Sequence, residues 1–197
     1  MSKCFVIVVD AQQDFMTPDG ALYVPGAQSL IEPMNGWLKA LDPGETAGLL
    51  LTFDTHYVET YAASAEAAQF PLHCVRGSAG WQSVINVDAI PKAIPLHMLE
   101  KGVFAMWEEP DVVIRDSRDP DRPATPRDRF FDELRQGGVG EVTVIGVAAD
   151  FCVRWAVEGL IERGFRVTVP TAMTCGIVRQ ITDVAAEEWT GKGVEIA

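Results

Sequence analysis

The stretch "VTVIGVAADFCVRWAVEGLIERG", residues 142–164, decides the fold. Residues 142–147 form an apolar run rich in β-branched side chains, the pattern of a buried strand. Gly146 and the small pair Ala148 and Ala149 mark a turn. Beyond Asp150, Val153, Ala156, Val157, Leu160 and Ile161 recur at i, i+3, i+4, i+7 and i+8, the apolar face of a helix. A strand that runs into an amphipathic helix is half of a βαβ unit. Asp150 stands where an N-cap is expected, which puts Cys152 in the first helical turn. Unpaired N–H groups and the positive end of the helix dipole favour a thiolate there. Against this stands the ordinary reading of a lone cysteine as a small buried side chain.

The same alternation runs along the rest of the chain. Strands are expected at Cys4–Val9, 48–53, 97–100 and 165–169, with a further extended piece at 112–114. Helices are expected at 29–41, with Pro33 in the first turns, at Arg127–Gln136 closed by Gly137 and Gly138, and at 179–189. Residues 55–95, rich in Ala, Pro and Gly, read as irregular. The expectation is an α/β fold: one domain over 1–197, with a mostly parallel sheet of about six strands and helices on both faces. The charged, proline-rich segment 103–126 reads as a surface or interface excursion, and a homo-oligomer is expected.

A chain of 197 residues that is 48% hydrophobic can bury a sizeable core. Four scattered cysteines without C-x-x-C spacing point to a reducing, cytoplasmic setting. A formal net charge of −12 argues against nucleic acid and anionic membrane as partners. Asp10 interrupts the first apolar run, which also lacks a basic flank, so neither a membrane span nor a signal peptide is read. No G-x-G-x-x-G or Walker-type loop follows a strand.

Parallel sheets carry their sites at the carboxyl ends of the strands. Asp10 follows the first strand, Asp54 the second and Lys101 the third, while Cys152 lies just past the fourth. A single Asp in such a place is ordinarily a turn residue. Four chemically compatible residues at four adjoining ends suggest nucleophilic acyl transfer. Asp10 would take the thiol proton, Lys101 would hold carboxylate and thiol together, and N–H groups of the turn before Cys152 would receive an oxyanion. Of three histidines, His97 lies inside a strand and reads as structural, so the triad has to be Asp–Lys–Cys. The other two fall in Asp54-x-His56 and in a segment with Glu66 seven residues before His73. Two imidazoles and two carboxylates suit Zn²⁺, Mn²⁺ or Fe²⁺. Glu59 is another carboxylate close by.

These pieces resemble the cysteine hydrolases of the isochorismatase-like superfamily, and within it most the nicotinamidase/pyrazinamidase branch. The matching stretches are "VIVVDAQQDFMTPDGALYVPGA" (6–27), "TFDTH" (52–56), "EAAQFPLHCVRGSAG" (66–80), "EKG" (100–102) and "VIGVAADFCVRWAVEGLIERGF" (144–165). The resemblance implies an isochorismatase-like fold with Asp10, Lys101 and Cys152 as the triad. It implies a cis peptide between Val147 and Ala148, with the Ala148 and Cys152 N–H groups as the oxyanion hole. It implies one divalent metal ion held by Asp54, His56, Glu66 and His73, and an aromatic ring of the substrate between Phe15 and Phe70. Isochorismatase proper typically has no cysteine at the place of Cys152, so amide hydrolysis is the expected chemistry.

The chain departs from the branch after Lys101, where "VFAMWEEPDVVIRDSRDPDRP" replaces the usual pocket-shaping stretch. Phe104 and Trp107 in this segment are suited either to closing the pocket or to a subunit contact. The activity implied is hydrolysis of a linear, non-peptide carboxamide, nicotinamide plus water giving nicotinate and ammonia through a cysteine thioester. A sister cysteine amidase acting on an N-carbamoyl or maleamate-like amide is the alternative. A non-catalytic, metal-stabilised scaffold is the reading from a different class, and the intact Asp10, Lys101 and Cys152 speak against it.

Overall fold

The structure, a computed structural model, describes residues 3–197. Along the chain run β1 (Cys4–Val9), α1 (Gln13–Met16), α2 (Ile31–Lys39), β2 (Thr46–Asp54), α3 (Val58–Tyr61), β3 (Leu96–Lys101), β4 (Val113–Asp116) and β5 (Thr125–Pro126). There follow α4 (Arg127–Gln136), β6 (Glu141–Val147), α5 (Cys152–Glu162), β7 (Arg166–Val169), β8 (Thr174–Cys175), α6 (Ile181–Glu188) and β9 (Val194–Ile196). All nine strands join one sheet, in the order β5-β4-β3-β2-β1-β6-β7-β9, with β8 paired to β6.

The middle of this sheet is parallel from β3 to β9. These are the strands that the pattern of apolar runs predicts, with the three-residue β9 added at the edge. The extended piece expected at 112–114 is β4, which pairs antiparallel with β3; beyond the expected count lie β5, antiparallel to β4, and β8. Strands of two or three residues carry no readable period, which is why β5, β8 and β9 escape a sequence pattern. Residues 103–126 therefore do more than cover the surface, because β4 and Thr125 of β5 extend the sheet edge.

Alternation along β1 sorts the core into two layers. Phe5, Ile7 and Val9 face a cluster with Phe131 of α4, Val153, Val157 and Leu160 of α5, and Ile181 and Val184 of α6. Val6 and Val8 face the other cluster, with Met34 and Leu38 of α2. Helices thus cover both faces. The helix expected at 29–41 begins as a 3₁₀ turn, Ala27–Leu30, and becomes α-helical at Ile31. Pro33 sits in the first turn of α2, where no hydrogen bond is lost. No helix among the described residues is long and apolar enough to cross a membrane.

Candidate active site and metal centre

Strands β3, β2, β1 and β6 are neighbours in the sheet, so their carboxyl ends lie side by side. Asp54 and Lys101 are the last residues of β2 and β3 and stand opposite each other in register. Asp10 follows β1 with φ of 47°, a left-handed conformation that a non-glycine residue holds only under constraint from its surroundings. After β6 the Val147–Ala148 peptide is cis, and the chain turns into α5 at Cys152.

One buried cation ties these ends together. The Lys101 Nζ lies 2.9 Å from Asp10 Oδ2 and 3.3 Å from Asp54 Oδ1, and donates to Cys152 Sγ at 3.5 Å. Burial opposes the Lys101 charge, but the carboxylates of Asp10 and Asp54 outweigh it and hold the ammonium well above its ordinary value. The Thr52 hydroxyl donates to Asp10 Oδ1 at 2.6 Å, which orients the carboxylate. Burial pushes the Cys152 thiol well up, Asp10 and Asp54 add to the rise, and Lys101 alone among these works against it. The thiolate expected from the helix dipole is therefore overruled by burial between two carboxylates. Burial thus favours a neutral thiol beside the Asp10 carboxylate.

Asp150 does not cap α5. The N-cap position belongs to Phe151, with no side-chain cap, and the Asp150 carboxylate instead accepts the N–H groups of Ile177, Val178 and Arg179. A carboxylate placed before a helix can serve either end of a turn, and here three donors from the 177–179 loop outnumber the one a cap would offer. The Cys152 N–H belongs to the first turn of α5, whose amides have no intrahelical partner. It lies next to the turn that begins at Ala148.

The metal-type residues converge on the second oxygen of Asp54. His73 Nε2 lies 2.9 Å and His56 Nε2 3.1 Å from Asp54 Oδ2. Glu66 Oε2 is 3.1 Å from His56 Nε2 and 3.7 Å from His73 Nε2. The four ligand atoms lie within 4.8 Å of one another, and all four residues are buried. His73 Nδ1 donates to the Pro71 carbonyl at 2.7 Å, which leaves Nε2 as the lone pair facing the cluster. Glu66 Oε1 is buried with no donor, and Oε2 has only the two imidazoles beside it. An orphaned carboxylate facing two imidazoles and a second carboxylate fits a divalent cation. Without a cation, burial favours a neutral His56, but contacts with Asp54 and Glu66 overcome it and raise the imidazole to about 9. Burial also works to raise Asp54, yet Lys101 and the two imidazoles hold its carboxyl far below the usual range.

Of the expected ring-binding pair, Phe15 is buried with its ring 5.3 Å from that of His73. Phe70 packs with Phe104 and Phe151 at centroid distances of 5.8 and 5.3 Å, and those two lie 5.6 Å apart. Phe151, directly before Cys152, and Phe104, three residues past Lys101, thus form one aromatic cluster with Phe70. Phe151 was hidden in the sequence behind the cap assigned to Asp150. Trp107 does not join this cluster and packs on Phe131 instead. Its indole donates to the Trp155 and Ala156 carbonyls of α5 and fills the place where a Cβ of Gly159 would stand. A cavity of ≈ 410 Å³ opens beside both sites, with Thr55, His56, Tyr61, Lys101 and Gly102 among its lining.

Gln12 is a further residue that sequence reading passed over. Its buried amide accepts from Asp54 N–H at 2.8 Å and donates to the Asp54 carbonyl at 2.9 Å and the Trp81 carbonyl at 3.0 Å. This fixes the backbone of the one residue shared by both groups. The only available signal was its place two residues beyond Asp10.

No protein-family model matches the chain. Over 196 residues it is 28% identical to the nicotinamidase/pyrazinamidase of Mycobacterium tuberculosis (strain ATCC 25618 / H37Rv), covering 97% of this chain and 96% of the relative. It is 25% identical over 188 residues to the nicotinamidase of Saccharomyces cerevisiae, covering 83% and 84%. The crystal structure of pyrazinamidase of Pyrococcus horikoshii in complex with zinc superposes with a TM-score of 0.72 at 27% identity, covering 99% of this chain and 98% of that one. By sequence and structural likeness, the chain has the isochorismatase-like hydrolase fold and is most like the nicotinamidases.

Proposed function

We propose that this protein is a metal-containing amidohydrolase that converts nicotinamide and water to nicotinate and ammonia through a thioester on Cys152. The observation that carries the reading is Lys101, one cation touching Asp10, Cys152 and Asp54 while the other oxygen of Asp54 belongs to a four-residue cation cluster. The names of the relatives, and the zinc in one of them, support the same activity.

In this mechanism Asp10, paired with Lys101, takes the Cys152 proton as Sγ attacks the carboxamide carbon. The carbonyl oxygen becomes an oxyanion received by the Ala148 and Cys152 N–H groups, a contribution of about 3 kcal/mol per donor in comparable sites. Asp10 returns the proton to the nitrogen as the C–N bond breaks, and ammonia leaves a thioester. Asp10 then deprotonates water, which attacks the thioester, and the thiol leaves with that proton. Asp54, His56, Glu66 and His73 would hold one Zn²⁺, Mn²⁺ or Fe²⁺, a Lewis acid beside the triad able to anchor a ring nitrogen. Phe15 on one side, and Phe70 with Phe104 and Phe151 on another, exclude water and present ring faces to a flat aromatic substrate.

The test is ammonia release from nicotinamide, with metal per chain measured in the same sample and Cys152→Ala as the control. Release by the parent, with loss of about 10⁴-fold or more in the variant, supports the reading. Release only from N-carbamoyl or maleamate-type amides would replace nicotinamide with the sister substrate class. Turnover surviving in Cys152→Ala would remove the nucleophile.

A further inference from the structure

In the D-x-x-x-D-F motif at 10–15, Asp10 has a place in the triad and Phe15 lies against His73, which leaves the second carboxylate without a role. Asp14 Oδ2 accepts the Cys74 N–H at 2.7 Å, and Oδ1 accepts the Ala21 N–H at 3.0 Å. Cys74 follows the metal-cluster residue His73 directly. Its carbonyl accepts the N–H of His56, the other imidazole of the cluster, at 3.0 Å. The Cys74 peptide therefore links the backbones of both histidines. It does so with φ of 45°, a left-handed conformation that is strained for a non-glycine residue. A charge-assisted hydrogen bond from Asp14 at this amide offsets that strain. The neighbouring chain makes room for it: a Cβ on Gly80 would stand 2.2 Å from both Asp14 oxygens.

We propose that Asp14 is a positioning residue of the metal centre, which through the strained Cys74 peptide sets the spacing and aim of His56 and His73. The side chain touches neither a cation nor the triad. It acts on two ligands at once because one residue carries both connections: the Cys74 N–H lies in the peptide that joins it to His73, and the Cys74 carbonyl accepts from His56. The inference rests on the proposed metal site and adds to it the element that shapes it.

The experiment uses Co²⁺ as the probe, with its dissociation constant from chelator competition and its visible absorption spectrum as a report on ligand geometry. Asp14→Ala is expected to weaken Co²⁺ binding about 10–100-fold and to change the spectrum, as for other groups that orient metal ligands. Asp14→Asn has a single acceptor oxygen for two main-chain donors, so its loss should lie between that of the parent and of the alanine variant. Gly80→Ala should weaken binding from outside, by displacing the carboxylate. The rate of Cys152 alkylation should stay within about twofold in all three, because the contacts among Lys101, Asp10 and Cys152 do not pass through Cys74. Unchanged affinity and spectrum in Asp14→Asn and Gly80→Ala would overturn the assignment even if Asp14→Ala failed to fold. So would a parallel change in alkylation, which marks general loosening. A parent chain that takes up no Co²⁺ would sink the metal site and this assignment together. Uptake without ammonia release would sink only the nicotinamide reading.

Discussion

Replacing Lys101 by methionine tests the electrostatic centre of the site. The ammonium lies 2.9 Å from Asp10 Oδ2 and 3.3 Å from Asp54 Oδ1, with all three side chains almost wholly buried. At an effective dielectric constant of about 20, each contact is an attraction of about 5 kcal/mol, set against a desolvation cost of several kcal/mol per ion. Methionine keeps the length of the side chain but removes the cation between the two carboxylates, leaving Asp54 only the imidazoles of His56 and His73. Removing one partner of a buried ion pair costs about 3–5 kcal/mol, and that is the loss expected in metal-free protein near pH 8. The pH dependence has a definite sign. In the parent, the depressed Asp54 pKa contributes stability that is present above the unfolded carboxylate value and is lost as pH falls through the folded one. In the variant the stranded carboxylates bind protons more readily folded than unfolded, so their penalty fades with falling pH. The gap between the two proteins should be widest at neutral to alkaline pH and narrow toward about pH 5. Urea unfolding of both proteins at the two pH values measures it. A gap below about 1 kcal/mol, or one equal at both pH values, would refute the picture of a cation balancing two buried charges.

His73→Ala should lower metal affinity by at least 100-fold while Cys152 keeps its alkylation rate, read by metal content after dialysis and by iodoacetamide labelling. Labelling of the metal-free parent should stay slow at neutral pH and still be climbing beyond about pH 9, because burial raises the thiol. A plateau near neutrality would show a resting thiolate. Phe151→Ala should raise the KM for nicotinamide about tenfold or more with a smaller effect on kcat, as the ring-facing wall loses a member. A kcat loss at unchanged KM would instead place Phe151 with the Cys152 turn.

The parallel sheet and its strand-end residues were legible because long apolar runs and helix faces are local patterns. Arg127–Gln136 was readable to the residue, and β2 and β3 to within two residues at either end. Asp10, Asp54, Lys101 and Cys152 could be placed together from topology alone, since each stands at or just past the carboxyl end of a strand. What stayed hidden depends on contacts remote in the chain. The 177–179 amides that claim Asp150 are nearly thirty residues from it. Gln12 and Asp14 work on backbone groups 42 and 60 residues away. The thiol was misjudged for a related reason: a helix dipole is visible in sequence, while burial between two carboxylates appears only when strands are laid side by side.

The neutral, enclosed state of Cys152, only 8% exposed, also bears on oxidative damage. Peroxide attacks thiolates that solvent can reach, and the first product, a sulfenic acid, opens the route to irreversible acids. A thiol that stays protonated until a carbonyl arrives offers peroxide little to attack. The proposed base, Asp10, is fully buried and is occupied by Lys101 and Thr52 meanwhile. The arrangement that delays the nucleophile thus also shelters it, so resting protein should keep its activity through peroxide exposures that silence a solvent-facing catalytic thiolate.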